Sequence, residues 1–460
     1  MRYLGVLPKN ILAIVAIALI IIAVYFGLIP NGSFQQYTPS SSIVEYTSAP
    51  NAILGKSENA TVTNTMIEPE QNPVNISLVS TPVSSALVGF NQTDAALIEK
   101  LSAGAANFLQ SLQTPSGAIS ESFGSTQVFV RDLSLAVIAL LLANRTAAAT
   151  SGISFLLSLP QGSSYFTTEP ASADSGSPPA WFQVYSTNGS TVEKSLRGED
   201  QGMALFALAT YYKATGNITV IADHWLAIQN AANFILYLQN TPGVGRPYDG
   251  LYRHGDNWED TRQENTNSTT GKPIYWPYWP EYYQWEEENM RMIMGLKGAV
   301  LLATTLGYRE DAYSWNNSLN LALKGLNNES VYNKYEAFDY FGSVLWGLQS
   351  NLTEARNLLS NMPTALITPY GIKDLPWGDY VGSADTIDYM AALVRVGNFS
   401  GASYYLDMVS TKFAASDGGF YDALTLSGVR IGENQFSYAA ARFIYFESVA
   451  LNINRNFTSF

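Results

Sequence analysis

The sequence predicts an all-α protein, an (α/α)6 toroid of twelve helices preceded by one transmembrane helix and an extended stalk. Three observations lead there. Amphipathic and wholly apolar segments alternate after Asn91, the connections between them alternate in length, and a charge-free apolar run stands near the start of the chain.

That run covers Ile11 to Ile29. At about 1.5 Å per residue it is long enough to cross a hydrocarbon core of about 30 Å. It continues through Tyr25, Phe26, Leu28 and Ile29 to Pro30, whereas a cleaved signal peptide has a shorter apolar region ending in small residues. Arg2 and Lys9 precede it, and acidic charges plus Lys56 follow, so the positive-inside bias leaves the N-terminus in the cytoplasm and the body outside. The expected organisation is a short cytoplasmic end (1–9), a membrane span (10–29), a stalk (30–90) and a globular domain (91–460). The stalk is rich in Ser, Thr, Asn and Pro and has no period that would bury a face.

Composition narrows the function. A net charge of −13 argues against nucleic acid as a partner, because phosphate binding needs a basic surface. With no Cys and two His, His224 and His254, zinc, haem and His-based triads find little support. No cofactor is expected, although carboxylates would also accept Ca²⁺. Thirteen Asn-x-Ser/Thr sequons agree with an external location. A low content of charged residues, at 14%, suits hot or acidic surroundings, an expectation that fails if the protein unfolds at pH 3.

The twelve helices are expected at 94–112, 131–143, 146–159, 199–214, 220–239, 287–306, 309–326, 334–349, 353–361, 383–396, 399–413 and 434–452. In the fifth, Ile221, Trp225, Ile228, Ala232, Ile235 and Leu238 keep one buried stripe. Even-numbered helices such as Leu133 to Ala143 and Phe436 to Leu451 are apolar or small nearly all round, as helices buried on every side must be. Turns after the even helices are short and make antiparallel hairpins. Those after the first, third, fifth, ninth and eleventh are long, and the seventh is expected to be brief. Six inner and six outer helices would then place every long loop on one face. Sequons at Asn144, Asn217, Asn351 and Asn398 would place glycans on the opposite face. An irregular helical bundle or solenoid is the alternative.

Acidic and aromatic residues gather where the long loops enter the even helices. They are Arg131-Asp132, Arg197-Gly198-Glu199-Asp200, Trp285 with Glu286, Glu287 and Glu288, Trp377-Gly378-Asp379 leading to Asp385, and Glu433. A carboxylate at a helix start can simply satisfy free N–H groups and the helix dipole, for under about 1 kcal/mol each. Trp181, Trp258, Trp276, Trp279, Trp285 and Trp377 fall in the long loops, and rings beside carboxylates are what a carbohydrate site needs.

Several segments resemble the six-hairpin glycosidases, the superfamily of glucoamylases, trehalases and glycogen-debranching glucosidases. Phe129-Val130-Arg131-Asp132-Leu133 looks like the Arg-Asp motif opening their second helix. Gly198-Glu199-Asp200-Gln201-Gly202 is similar to the next inner helix start. Asp249 through Asp260, with Trp258-Glu259-Asp260, resembles the segment carrying the general acid. Gly418-Gly419-Phe420-Tyr421-Asp422 and Gly432-Glu433-Asn434-Gln435-Phe436-Ser437 resemble the closing segment with the catalytic base. The resemblance implies an inverting glycoside hydrolase acting on α-glucan, trehalose or a related oligosaccharide. Glu259 or Asp260 would be the acid and Asp422, or alternatively Glu433, the base. Arg131, Asp132, Glu199, Asp200 and Glu287 would bind the sugar, with Trp258, Trp285 and Trp377 stacking on it. Two other readings stay open: a glycosylated surface protein that binds sugar without turnover, and a lyase or epimerase, which would more often use Tyr or His as base.

Overall fold

The computed structural model describes residues 87, 89–163, 177–240, 250–252, 286–326 and 336–451. The expected cytoplasmic end and membrane span, and nearly all of the stalk, lie outside the described residues. No helix among the described residues is long and apolar enough to cross a membrane.

Thirteen α-helices stand among the described residues: α1 (Gln92–Ser111), α2 (Val130–Leu142), α3 (Thr146–Ser158), α4 (Gly198–Thr215), α5 (Thr219–Asp223), α6 (Trp225–Asn240), α7 (Glu286–Leu306), α8 (Arg309–Leu326), α9 (Phe338–Leu345), α10 (Leu352–Ser360), α11 (Ser383–Arg395), α12 (Phe399–Met408) and α13 (Ser437–Ala450). Helix α2 packs on α4, α4 on α7, α7 on α9, α9 on α11, α11 on α13, and α13 back on α2, which closes an inner ring of six. The remaining helices lie against the outside of that ring as hairpin partners. Amphipathicity sorts the two sets. In inner α2, eleven residues from Val130 to Leu141 are buried, whereas outer α8 buries only a stripe of Trp315, Ser318, Leu319, Ala322, Gly325 and Leu326. Each buried Leu, Ile or Phe contributes roughly 1.5–3 kcal/mol relative to exposure.

Glycine sets how closely two inner helices approach. A Cβ on Gly202 of α4 would lie 2.5 Å from the Arg291 carbonyl oxygen of α7, and one on Gly295 would overlap the Gly202 carbonyl. Only glycine allows that backbone contact, and it brings α4 and α7 together about one turn past Glu199 and Arg291.

The expectation of an all-α protein needs correction, because among the described residues ten short strands occupy the long-loop side. They are β1 (Gln127–Phe129), β2 (Gln161–Gly162), β3 (Ala180–Trp181), β4 (Val184–Ser186), β5 (Thr191–Glu193), β6 (Ile367–Thr368), β7 (Gly371–Ile372), β8 (Tyr380–Gly382), β9 (Tyr421–Thr425) and β10 (Arg430–Gln435). The three antiparallel sheets run β1-β4-β5, β2-β3 and β10-β9-β8-β7-β6. The last ties the loop before α11 to the loop before α13. Strands of two to six residues are too short to show a period of two in sequence. Strand β10 takes residues that the helical pattern assigned to 434–452, so α13 starts at Ser437.

Three other boundaries differ. Helix α9 spans 338–345 rather than 334–349, because the Ala337 N–H bonds to the Asp374 carbonyl at 2.8 Å and Gly347 turns left-handed at φ 68°. The connection before α9 is therefore long like the others on that face. The fifth expected helix divides at His224 into α5 and α6, and α12 ends in one π-type turn over 409–413.

Candidate active site at the open end of the ring

The inner helices carry ionised side chains in their first two turns, although most of their surface is apolar. Such residues must pair or neutralise, since burying an unpaired charge costs several kcal/mol. Here they converge. Arg131 of α2 reaches Asp132 (3.0 Å) and Glu199 of α4 (3.1 Å). Arg197 reaches Glu199 (2.8 Å) and Glu288 of α7 (3.0 Å). Arg291 of α7 pairs with both Glu199 and Glu287. Arg442 of α13 lies 3.7 Å from Glu287 and 3.0 Å from Asp388 of α11. Five inner helices are thus joined at one end by one chain of ion pairs.

Glu199 is wholly buried. Burial alone would raise its pKa, but Arg197, Arg291 and Arg131 outweigh it and hold the carboxyl well below the usual range. Its oxygens anchor three guanidiniums. Asp200 accepts from the Arg131 backbone N–H at 3.2 Å, the helix-start role that a carboxylate can play without any ligand.

The other side of the end carries carboxyls of opposite character. Burial, with Asp374, Asp339, Glu287 and Asp385 nearby, pushes Glu336 well above the ordinary carboxylate range. Burial and Asp374 push Asp385 the same way, reinforced by Glu287 and Asp388 and only partly opposed by Arg442. Asp388 is pushed up to about 6 by burial against the pull of Arg442 and Arg291. Asp422, on β9, accepts a hydrogen bond from the Tyr438 hydroxyl of α13. Burial raises its pKa, while Tyr438 and Arg442 hold it down. Carboxyls pushed up in pKa and a carboxyl held low therefore share one end of the ring, an arrangement able to give a proton at one point and take one at another.

The structure brings Arg131, Asp132, Glu199, Asp200, Glu287 and Asp422 to this end. Glu433 lies exposed on the edge strand β10, and Trp377 is 52% exposed in the turn before β8. Glu259, Asp260, Trp258 and Trp285 lie outside the described residues. Trp181, counted from sequence among the site aromatics, is a fully buried core residue, as is Tyr252 with its hydroxyl 3.0 Å from that of Ser318. His224 is exposed at the α5–α6 junction. Among the described residues no group of three or more His, Asp or Glu could hold a metal ion. Asn144, Asn217, Asn351 and Asn398 are all exposed in the turns after inner helices, and Asn351 and Asn398 also cap α10 and α12.

Arg291, Glu336, Asp374, Asp388, Tyr438 and Arg442 were not singled out as site residues from sequence. A signal existed for some of them. Asp388, three residues after Asp385, and Tyr438 and Arg442 at i, i+4, stand on helices that are apolar or small over most of their surface, so each had to face a partner.

No protein-family model matches the chain, and no curated protein is similar to it in sequence. Solved structures do share its fold. A glycosidase has 11% identity over 79% of this chain and 100% of its own, with a TM-score of 0.57. A D-mannose isomerase has 12% identity over 79% and 99%, with a TM-score of 0.56. A cellobiose 2-epimerase from Bacillus thermoamylovorans has 11% identity over 76% and 98%, with a TM-score of 0.51. The likeness is one of fold.

Proposed function

We propose that the chain is a carbohydrate-active enzyme, an inverting glycoside hydrolase acting on α-glucan, trehalose or a related oligosaccharide outside the cell. The observation that carries this reading is the gathering, at one end of the closed ring, of Asp422, whose carboxyl accepts from Tyr438, and of carboxyls such as Asp385 whose pKa burial and like-charged neighbours push well up. Inverting hydrolysis needs one of each, set roughly 6.5–9.5 Å apart with the sugar and a water between them. In this reading Asp422 is the base, and the resemblance supplies Glu259 or Asp260 as acid. The fold neighbours support a sugar substrate, since they include a glycosidase solved with glucose, a sugar isomerase and epimerases. The apolar run at 11–29 and the sequons support display on the outer membrane surface, with the four sequon turns glycosylated.

The test is release of reducing sugar from maltooligosaccharides, trehalose and dextran by the full chain in detergent between pH 2 and 7, beside Asp422→Asn. Cleavage by the parent and a loss of about 10²-fold or more in the variant are expected. A folded parent that cleaves nothing sinks the hydrolase reading and leaves a non-catalytic surface protein. The isomerase and epimerase neighbours favour a second reading, in which a mannose or cellobiose substrate is rearranged without cleavage. Proton NMR of the chain incubated with mannose or cellobiose tests it, because rearrangement gives a new sugar with no gain in total molecules.

A further inference from the structure

Strand β8 ends at Gly382, which pairs with Ala423 of β9. Cross-strand partners lie about 4.5–5.5 Å apart at Cα, so Asp422, one residue before Ala423, stands beside the start of α11. Asp385 lies in the first turn of that helix. Its carboxyl folds back over Gly382 so closely that a Cβ there would overlap Oδ2. No side-chain hydrogen bond caps α11, and Asp385 makes none with a described residue, so α11 acts on it only through the helix dipole, worth under about 1 kcal/mol. A second route joins the same residues. Asp388, one turn on, holds Arg442 at 3.0 Å; Arg442 lies one turn past Tyr438 on α13; and Tyr438 donates to Asp422.

Resting on the hydrolase reading, we propose that Asp385, in place of Glu259 or Asp260, is the proton donor, paired across the bound sugar with Asp422. The Asp385 carboxyl gives its proton to the glycosidic oxygen, which takes the electron pair of the breaking C1–O bond and leaves as an alcohol. Water attacks C1 from the opposite face and passes its proton to Asp422. The products are the inverted reducing sugar and the alcohol, and exchange with solvent restores both carboxyls. The surroundings differ in degree: burial and Asp374 push the Asp385 carboxyl well above the ordinary range, whereas at Asp422 Tyr438 and Arg442 oppose the rise that burial causes. The resemblance points to a different donor, so the two assignments make opposite predictions.

The experiment compares the full chain with Asp385→Asn, Glu259→Gln and Asp260→Asn on maltotriose and on 2,4-dinitrophenyl α-glucoside, whose leaving group needs no protonation. In Asp385→Asn, maltotriose cleavage should fall about 10²–10⁴-fold. Dinitrophenyl release should fall less than about tenfold, and the alkaline limb of the pH–rate profile should disappear. Retained dinitrophenyl release also reports that the variant is folded. Asp385→Asn within threefold of the parent on maltotriose, or the leaving-group pattern appearing in Glu259→Gln or Asp260→Asn, overturns the assignment alone. A parent that cleaves neither substrate overturns the hydrolase reading and the assignment with it.

Discussion

Gly295 of α7 lies against the backbone of Gly202 in α4, with no room for a methyl group between the two helices. The contact sits about one turn from Glu199 and Arg291, so the spacing that lets these helices touch also lets that ion pair form. Gly295→Ala gains helix propensity of about 1 kcal/mol but must push the helices apart. Overpacking costs typically 1–3 kcal/mol and wins here, because the obstructing atoms are backbone and cannot rotate away. Lower thermal stability is the expected outcome, read by circular dichroism melting; an unchanged or raised midpoint would show that the ring tolerates wider spacing.

Glu199 is enclosed by Arg131, Arg197 and Arg291, and its removal leaves three guanidiniums facing a neutral group. Glu199→Gln should destabilise the fold by about 3–5 kcal/mol at neutral pH. The pH dependence has a definite sign. The folded pKa is depressed below the unfolded value, so this stabilisation is present above the unfolded pKa near 4.5 and is lost as pH falls through the lower folded value. Denaturant midpoints should therefore converge between parent and variant only in strong acid; convergence already near pH 5 would contradict the assignment.

Glu447 of α13 gives the opposite dependence. Burial raises its pKa to about 7, against the pull of a hydrogen bond from Ser102 of α1 and with a small push from Glu99. A carboxyl whose folded pKa is raised costs nothing below its unfolded value near 4.5, costs progressively more as pH rises to about 7, and costs its full amount above that. The penalty is on the order of 3 kcal/mol. Glu447→Gln should accordingly raise stability at pH 8 and change little at pH 4. Equal effects at both values would show that packing, not ionisation, governs the site.

The ring was legible in sequence because its helices are long and their periodicity strong: α3, α7 and α8 begin and end within a residue of the expected bounds. The same pattern failed at β10, where Gly432 at φ 75° and a register shift between Ile431 and Gln435 break a strand too short to show a period. At the site, Arg131, Asp132, Glu199 and Asp200 stood out as charges beside glycine and aromatic residues. Arg291 and Arg442 lie within long apolar helices, and their partners Glu199 and Asp388 belong to other helices. Only tertiary pairing gives such residues meaning. Trp181 illustrates the opposite error, since a loop aromatic equally serves the core.

Tyr438 offers the sharpest test of Asp422 as base. Its hydroxyl donates to Asp422, an interaction that favours the ionised carboxylate and opposes the effect of burial. Tyr438→Phe keeps the ring, whose centroid lies 5.8 Å from the Arg442 guanidinium carbon, and removes only the donor. Without it the Asp422 pKa rises, so the acid limb of kcat/KM should move to higher pH. With Asp422 less well oriented, kcat should fall about tenfold or more while KM changes little. A fall in kcat with the acid limb unmoved would assign Tyr438 a purely structural part and detach Asp422 from the base, because a residue that sets the ionisation of the base cannot be removed without moving the limb that reports it.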